Sequence, residues 1–257
     1  MNYPFALQLY SVRDYFEKDP LDAMLGVKRA GFDHVELAGT CGMSPEEFKA
    51  LLDRAGLTPV SAHMGFAEVC ADPAAAARAA RVFGVSGVVI PWLGGDGFGS
   101  REDWLGAARA MDAAGAALRA EGVTLSYHNH DHEFMALDGG GNAFDLIFST
   151  ASPENLKVQL DTCWSTVGGA DTPALLARLA GRVSTIHVKD FLPGVNGARP
   201  VLTEVGAGAM DWPSVLPAAR AAGAQWFIVE QDASQTDSMD SAAVNAAFMA
   251  QWNRTNG

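Results

Sequence analysis

Cysteine is scarce: Cys41, Cys70 and Cys163 are the three in 257 residues, and none stands in a CxxC spacing. An odd, scattered set builds neither a disulfide framework nor a structural zinc site. Basic residues are also short, with 18 Lys+Arg against 30 Asp+Glu, a formal charge of −12 and no run of Lys or Arg. Such a chain repels a phosphate backbone, which disfavours nucleic acid as a partner and favours a cation. No apolar run approaches the ~18 residues that span a bilayer. The start, "MNYPFALQLYSVRD", lacks the basic and then apolar pattern of a secretion signal. A cytoplasmic protein without membrane contact is expected. What the chain does have is apolar residues, 49% of the total, enough to bury a large core.

These residues fall into short runs separated by Ala-rich stretches of helical length. The runs are "FALQLY" (5–10), "HVELA" (34–38), "TPVSAH" (58–63), "GVVIPW" (87–92), "VTLSYH" (123–128), "LKVQLD" (156–161), "VSTIHVKD" (183–190) and "WFIVEQ" (226–231). Each reads as a strand buried in a parallel sheet. Helices are predicted over 20–30, 45–55, 72–83, 101–120, 142–150, 171–180, 211–222 and 238–252. Several open on cap chemistry, such as "SPEE" at 44–47 and "DTP" at 171, and several stop at Gly, as at 31, 56, 122 and 223. Eight βα units with no linker predict an α/β fold, a single-domain (β/α)8 TIM barrel over residues 1–257. A doubly wound sheet is the competing layout, but no GxGxxG turn follows the first run.

In a barrel, chemistry gathers where the strands end. Those ends carry Gln8 and Tyr10, Glu36, His63, then His128, His130 and Glu133, then Asp161, then His187, Lys189 and Asp190, and finally Glu230 and Gln231. The fourth run ends in Pro91 and Trp92 and offers no ligand. Several carboxylates in one mouth repel one another, and a divalent cation removes that penalty. The mixed oxygen and nitrogen donors suit Mn, Mg, Co or Zn. Blander readings stand beside these. Glu36 and Gln8 can be buried hydrogen-bonding groups, and Asp190 can cap a loop or orient Lys189. His34 lies at the far end of the barrel, and His132 sits in a loop facing solvent.

The segments "LQLYSVRD", "YHNHDHEF", "LDTCW", "IHVKDF", "EVGAGAMDW" and "WFIVEQD" together resemble the sugar phosphate isomerase/epimerase superfamily, the xylose isomerase-like TIM barrels. The resemblance runs through nearly the whole chain. It implies one divalent metal held by a Glu, an Asp, a His and a Glu at successive strand ends. Asp161, His187 and Glu230 match the last three. For the first, this chain has His128 at the strand end and Glu133 five residues later. Glu133 is the expected ligand on charge, because it neutralises the dication better, with His128 and His130 facing the substrate. Trp164 stands where relatives often carry a His, which predicts stacking on a sugar face.

What the resemblance implies is a metal-dependent isomerase or epimerase acting on a keto sugar through α-proton abstraction and a metal-stabilised enediolate. Glu133 and Glu230 would be the acid/base pair, with His130 as an alternative base and Lys189 binding a substrate oxygen. Gln8, Glu36, His63, His128 and Trp164 would contact the substrate. A keto-sugar hydratase or dehydratase uses the same site, and an endonuclease IV-like nuclease is a distant alternative disfavoured by charge. No basic cluster marks a phosphate pocket, so the expected partner is an unphosphorylated small carbohydrate. Assembly into a homo-oligomer stays open.

Overall fold

In the computed structural model, which describes residues 2–95 and 98–256, each apolar run forms a strand. These are β1 (Phe5–Gln8), β2 (His34–Ala38), β3 (Thr58–His63), β4 (Gly87–Ile90), β5 (Thr124–His128), β6 (Leu156–Asp161), β7 (Val183–Val188) and β8 (Trp226–Val229). All neighbouring pairs are parallel, and the sheet closes on itself through β1 and β8. The (β/α)8 barrel expected from the sequence is the observed fold.

The outer helices start and stop where cap chemistry places them. Ser44 with Glu47, and Ser100 with Asp103, form reciprocal capping boxes at the starts of Pro45–Ala55 and Arg101–Ala120. Gly56 and Gly84 end two helices with φ of 69° and 74°, a conformation that costs a side chain. Four strand predictions run too long at their C-terminal ends. Tyr10, Trp92, Asp190 and Gln231 all lie past the barrel pairing, in the βα connections. At the first, the Gln8 side chain accepts from Tyr10 N and turns the chain into a 3₁₀ turn, Leu9–Val12. Short helices after strands, Phe66–Ala71 and Thr162–Val167, and an antiparallel hairpin of Asp190–Leu192 with Val201–Thr203 complete the mouth.

Side-chain alternation divides each strand between two environments. Leu7, Val35, Leu37, Val88, Ile90, Leu125, Tyr127, Val158, Leu160, Ile186, Val188, Phe227 and Val229 join the helices in one apolar core. The alternate positions point into the barrel. There Ala6, Val89 and Ile228 are apolar, but Gln8, Glu36, Ser61, Ser126, His128, Gln159, Asp161, Thr185 and His187 are polar and buried. Barrels usually fill this space with bulky branched residues. Here register aligns polar groups instead: Gln8 lies opposite Glu36, Glu36 opposite Ser61, and Asp161 opposite His187.

Candidate metal centre at the barrel mouth

Glu36 is fully buried and serves as the hub of this interior. Gln8 Nε2 (2.9 Å) and His187 Nε2 (2.7 Å) donate to its Oε1, and His63 Nε2 lies 2.9 Å from the same atom. Ser61 Oγ and Gln159 Nε2 (2.6 Å) donate to Oε2. A carboxylate this occupied has nothing left for a substrate. Glu36 and Gln8, expected as substrate contacts, therefore lie beneath the site as buried hydrogen-bonding groups. Their strand-end positions are occupied by floor rather than rim.

Above this floor His128, Asp161, His187 and Glu230 bring one donor atom each to within 4.8 Å of one another, and all four are buried. Local structure aims Asp161. It caps the helix Thr162–Val167, accepting from Trp164 N through Oδ1 at 2.8 Å, and so turns Oδ2 to the cluster. That Oδ2 accepts no aligned hydrogen bond. Lys189 Nζ is 3.0 Å away but off-line, and His128 Nε2 is 3.9 Å away. A buried carboxylate oxygen without a directed partner, beside two imidazoles and a second carboxylate, is a donor set that fits a divalent cation. A second group, His63 with His128 and His187, shares two members. It has no acid of its own, and its His63 Nε2 already faces Glu36 and Gln159.

Charge sets the protonation of each group. Burial opposes ionisation of Glu230, yet Lys189 and His187 outweigh it and hold the carboxyl well below its usual range. Burial likewise works against Glu36, where His63 and His187 prevail and lower it. His187 bridges the two acids, Nε2 to Glu36 and Nδ1 to Glu230 Oε2 at 2.7 Å. Burial disfavours its charge, but Glu230 and Glu36 raise it to about 10. His128 is driven well down by burial and by the positive charges of His187 and Lys189, so its imidazole is neutral, the form a metal requires. Lys189 is fully buried, and despite desolvation the acids Asp161, Asp232 and Glu230 push it up. Its Nζ lies 2.9 Å from Glu230 Oε2 and 2.8 Å from Asp232 Oδ1. The ion pairs of Lys189 are with these acids, not with Glu36 or Asp190.

The loop after β5 corrects one expectation. Glu133 does not enter the four-residue group. Its carboxylate is fully buried, accepting from Tyr127 OH and, at 2.8 Å, from His130 N. The 3₁₀ turn His132–Phe134 folds Glu133 back under the loop it closes. Tyr127 is on the outward face of β5, so a group bonded to it points away from the barrel axis. His128 takes the strand-five place among the four instead. His132 Nε2 meets Leu93 O at 3.0 Å and is part-buried rather than solvated. Asp190 caps a loop, accepting from Gly206 N, Met210 N and Trp212 Nε1, and Gly208 passes so close that a Cβ would strike its carboxylate.

A cavity of about 640 Å³ opens over the cluster, bordered by His63, His128, His130, Glu230 and Asp232 below and by Tyr10 and Trp92 at the rim. Tyr10 and Trp92 are 45% and 47% exposed. Trp164 is not among its lining residues. Its Nε1 donates to Asp232 Oδ2 at 3.2 Å and Lys189 Nζ sits 5.4 Å from its ring centre, so it supports the ion-pair network. Three site residues escape the strand-end reading. Asp232 was hidden because it lies past the strand, although "EQD" places it two residues after Glu230. Gln159 is two before Asp161, hence on the same strand face, a signal alternation could have supplied. Asn129 sits between two histidines and accepts from Asp161 N at 3.0 Å.

Comparisons with known proteins bear on the family and the fold. Rhizopine catabolism protein MocC of Rhizobium meliloti is 27% identical over 150 residues, 52% of this chain and 45% of that protein, so the match spans less than half of its length. A sugar phosphate isomerase/epimerase from Parabacteroides distasonis ATCC 8503 superposes with a TM-score of 0.80 at 20% identity, covering 96% of this chain and 93% of that one. A probable 3-DHS dehydratase, AsbF, involved in petrobactin synthesis in Bacillus anthracis, superposes with a TM-score of 0.72 at 14% identity, covering 96% and 98%. At these identities the two structures speak for the fold alone. Residues 26–252 match the family model described as xylose isomerase-like TIM barrel, and the chain belongs to that family.

Proposed function

We propose that this chain is a divalent-metal-dependent isomerase or epimerase that acts on a keto sugar or related small carbohydrate by removing an α-proton. The observation that carries the proposal is the buried group of His128, Asp161, His187 and Glu230 at the C-terminal end of the barrel, with Asp161 Oδ2 lacking a directed partner. These four residues would hold one ion, Mn, Mg, Co or Zn. Bound there, it would polarise a substrate carbonyl and stabilise the enediolate charge left when the proton departs.

The chain's own groups supply the rest. Glu230 borders both the cage and the cavity, so substrate and cage meet at its carboxylate. His130 lines the same cavity with Nδ1 buried and unpartnered, and burial lowers it to about 3, so it is a neutral imidazole able to accept a hydrogen bond from a substrate hydroxyl. Glu133 has no access to the cavity and is withdrawn from both its metal and its acid/base roles. Lys189 holds Asp161, Glu230 and Asp232 together and keeps its positive charge beside the site. Among the described residues the cavity lining contains Glu68, Glu230 and Asp232 and neither Lys nor Arg, which favours an unphosphorylated substrate and weighs against nucleic acid. Rings at the rim suit the apolar face of a sugar.

Incubating purified protein with candidate keto sugars in deuterium oxide tests the reading. Solvent deuterium in the recovered sugar, lost after chelation and restored by Mn²⁺, is the expected result. A product lighter by one water would move the assignment to a dehydratase, the activity of one fold neighbour. Undiminished turnover after exhaustive chelation would end the metal proposal.

A further inference from the structure

Two imidazoles can serve the proposed cage only if each turns a bare nitrogen towards it, and imidazole tautomers are set by what the other nitrogen meets. The partners on the far side of His128 and His187 are Gln159 and Glu36. His187 Nε2 lies 2.7 Å from Glu36 Oε1 and Nδ1 lies 2.7 Å from Glu230 Oε2. A carboxylate only accepts, so both nitrogens carry hydrogens without an ion, and Glu36 keeps the one on Nε2 when a cation takes the place of the one on Nδ1. His128 Nδ1 lies 3.2 Å from one end of the Gln159 amide, and His128 Nε2 faces Asp161.

Which end of that amide faces His128 follows from Glu36. The other end of the Gln159 side chain is 2.6 Å from Glu36 Oε2 and 2.9 Å from Thr185 Oγ1. An acceptor-only carboxylate demands the NH₂ group there, which leaves Oε1 for His128 Nδ1 and for His63 Nε2 at 2.9 Å. The carbonyl oxygen in turn demands a hydrogen on His128 Nδ1 and so bares Nε2. Ser61 and Gln8 hold the Glu36 carboxylate from the two flanking strands, so it cannot rotate away.

We infer that Glu36 and Gln159 are a positioning pair that fixes which nitrogen of each imidazole keeps its hydrogen when an ion binds, Glu36 acting on His187 directly and on His128 through the orientation of the Gln159 amide. This rests on the metal reading above and extends it to residues that touch neither ion nor substrate. It also gives the buried acid of "HVELA" a reason to be an acid, since no neutral side chain accepts hydrogen bonds at both ends.

Glu36→Gln breaks the logic at one atom. The new NH₂ group, placed at the Oε2 position, faces the Gln159 NH₂ and forces that amide to flip. His128 Nδ1 then meets a donor, and the hydrogen moves to Nε2, towards the cage. Long-range ¹H–¹⁵N spectra of the histidines in EDTA should show His128 as the Nδ1–H tautomer in the wild type and as Nε2–H in Glu36→Gln. The affinity for Zn²⁺ should fall about 10–100-fold. Gln159→Met, which removes the amide without adding a donor, should weaken Zn²⁺ binding in the same range and leave His128 without a fixed tautomer. The wild-type spectrum needs no variant to fold, and an Nε2–H signal for His128 in it overturns the inference. Zn²⁺ affinities of both variants within about threefold of wild type overturn it too. A wild type with the expected tautomers that takes up no dication sinks the metal reading instead.

Discussion

Leu160 and Asp161 are neighbours on β6, both fully buried, and they sit in different worlds. Leu160 packs outward with Leu125, Ile186 and the helices in the apolar core, while Asp161 points inward to Lys189 and two imidazoles. The same division runs through Tyr127 and His128, Ile186 and His187, Val229 and Glu230. Outward residues stabilise the fold through area removed from water, and inward ones spend part of that stability holding charges where water cannot screen them. If the division is real, substitutions on the two sides should fail differently.

The largest effect is expected inward. Asp161→Asn keeps an oxygen to cap Trp164 N but loses the charge the cage needs. Activity should drop by at least about 10³-fold, because several kcal/mol of charge stabilisation goes with the ion. Bound Mn²⁺ should vanish in metal analysis while the circular dichroism spectrum stays folded. A variant that retains stoichiometric metal would dissolve the contrast between the two faces at its sharpest point.

Next comes the outward neighbour. Leu160→Ala should destabilise the barrel by about 2–5 kcal/mol, the usual cost of a buried Leu cavity. In urea titrations the midpoint should fall, while kcat measured on the folded fraction and the metal content stay at wild-type values. Loss of metal without loss of stability would show that the outer face reaches into the site.

Glu133→Gln sharpens the comparison on one loop. The carboxylate serves Tyr127 OH and His130 N rather than the cage. Replacing it should cost about 1–3 kcal/mol of stability, the range for weakening a buried hydrogen-bonded acceptor. Metal affinity should stay within about threefold of wild type, whereas His128→Ala should lose tenfold or more. The reverse ranking in a calorimetric titration would restore Glu133 as the strand-five ligand.

The barrel was legible in the sequence because buried parallel strands leave short apolar runs and helix ends carry local chemistry. Ser44, Glu47 and Gly56 state their roles within a dozen residues. Asp161, His187 and Glu230 were legible for a related reason: each lies at or near the end of a run, and a barrel sends every run's end to one mouth. What stayed hidden depends on distances the sequence does not contain. Glu36 meets Gln159 across the barrel from β2 to β6, 123 residues apart. Glu133 was misread because charge alone was weighed. A 3₁₀ turn and a tyrosine on the outer face decided the matter, and neither shows in a count of ligand types.

The smallest effect is the pH dependence of stability without metal, and it again separates inward groups by their neighbours. His130 is held to about 3 by burial and the nearby Lys189, against about 6.5 in an unfolded chain. Between those values the unfolded state binds a proton that the native state refuses, so stability falls as pH drops from about 6.5 towards 3. His187 behaves oppositely. With its value raised to about 10 by Glu230 and Glu36 over the opposition of burial, its contribution is complete below about 6.5 and is lost as pH rises through 10. Urea titrations in EDTA should therefore give a dome centred near neutrality, each group contributing a slope of at most about 1.4 kcal/mol per pH unit. His130→Gln should flatten the acid limb and His187→Gln the alkaline one. If His130→Gln leaves the acid limb as steep as in the wild type, the imidazole that borders the cavity is exchanging protons with solvent in the native state, and its place as a neutral acceptor beside the substrate is lost.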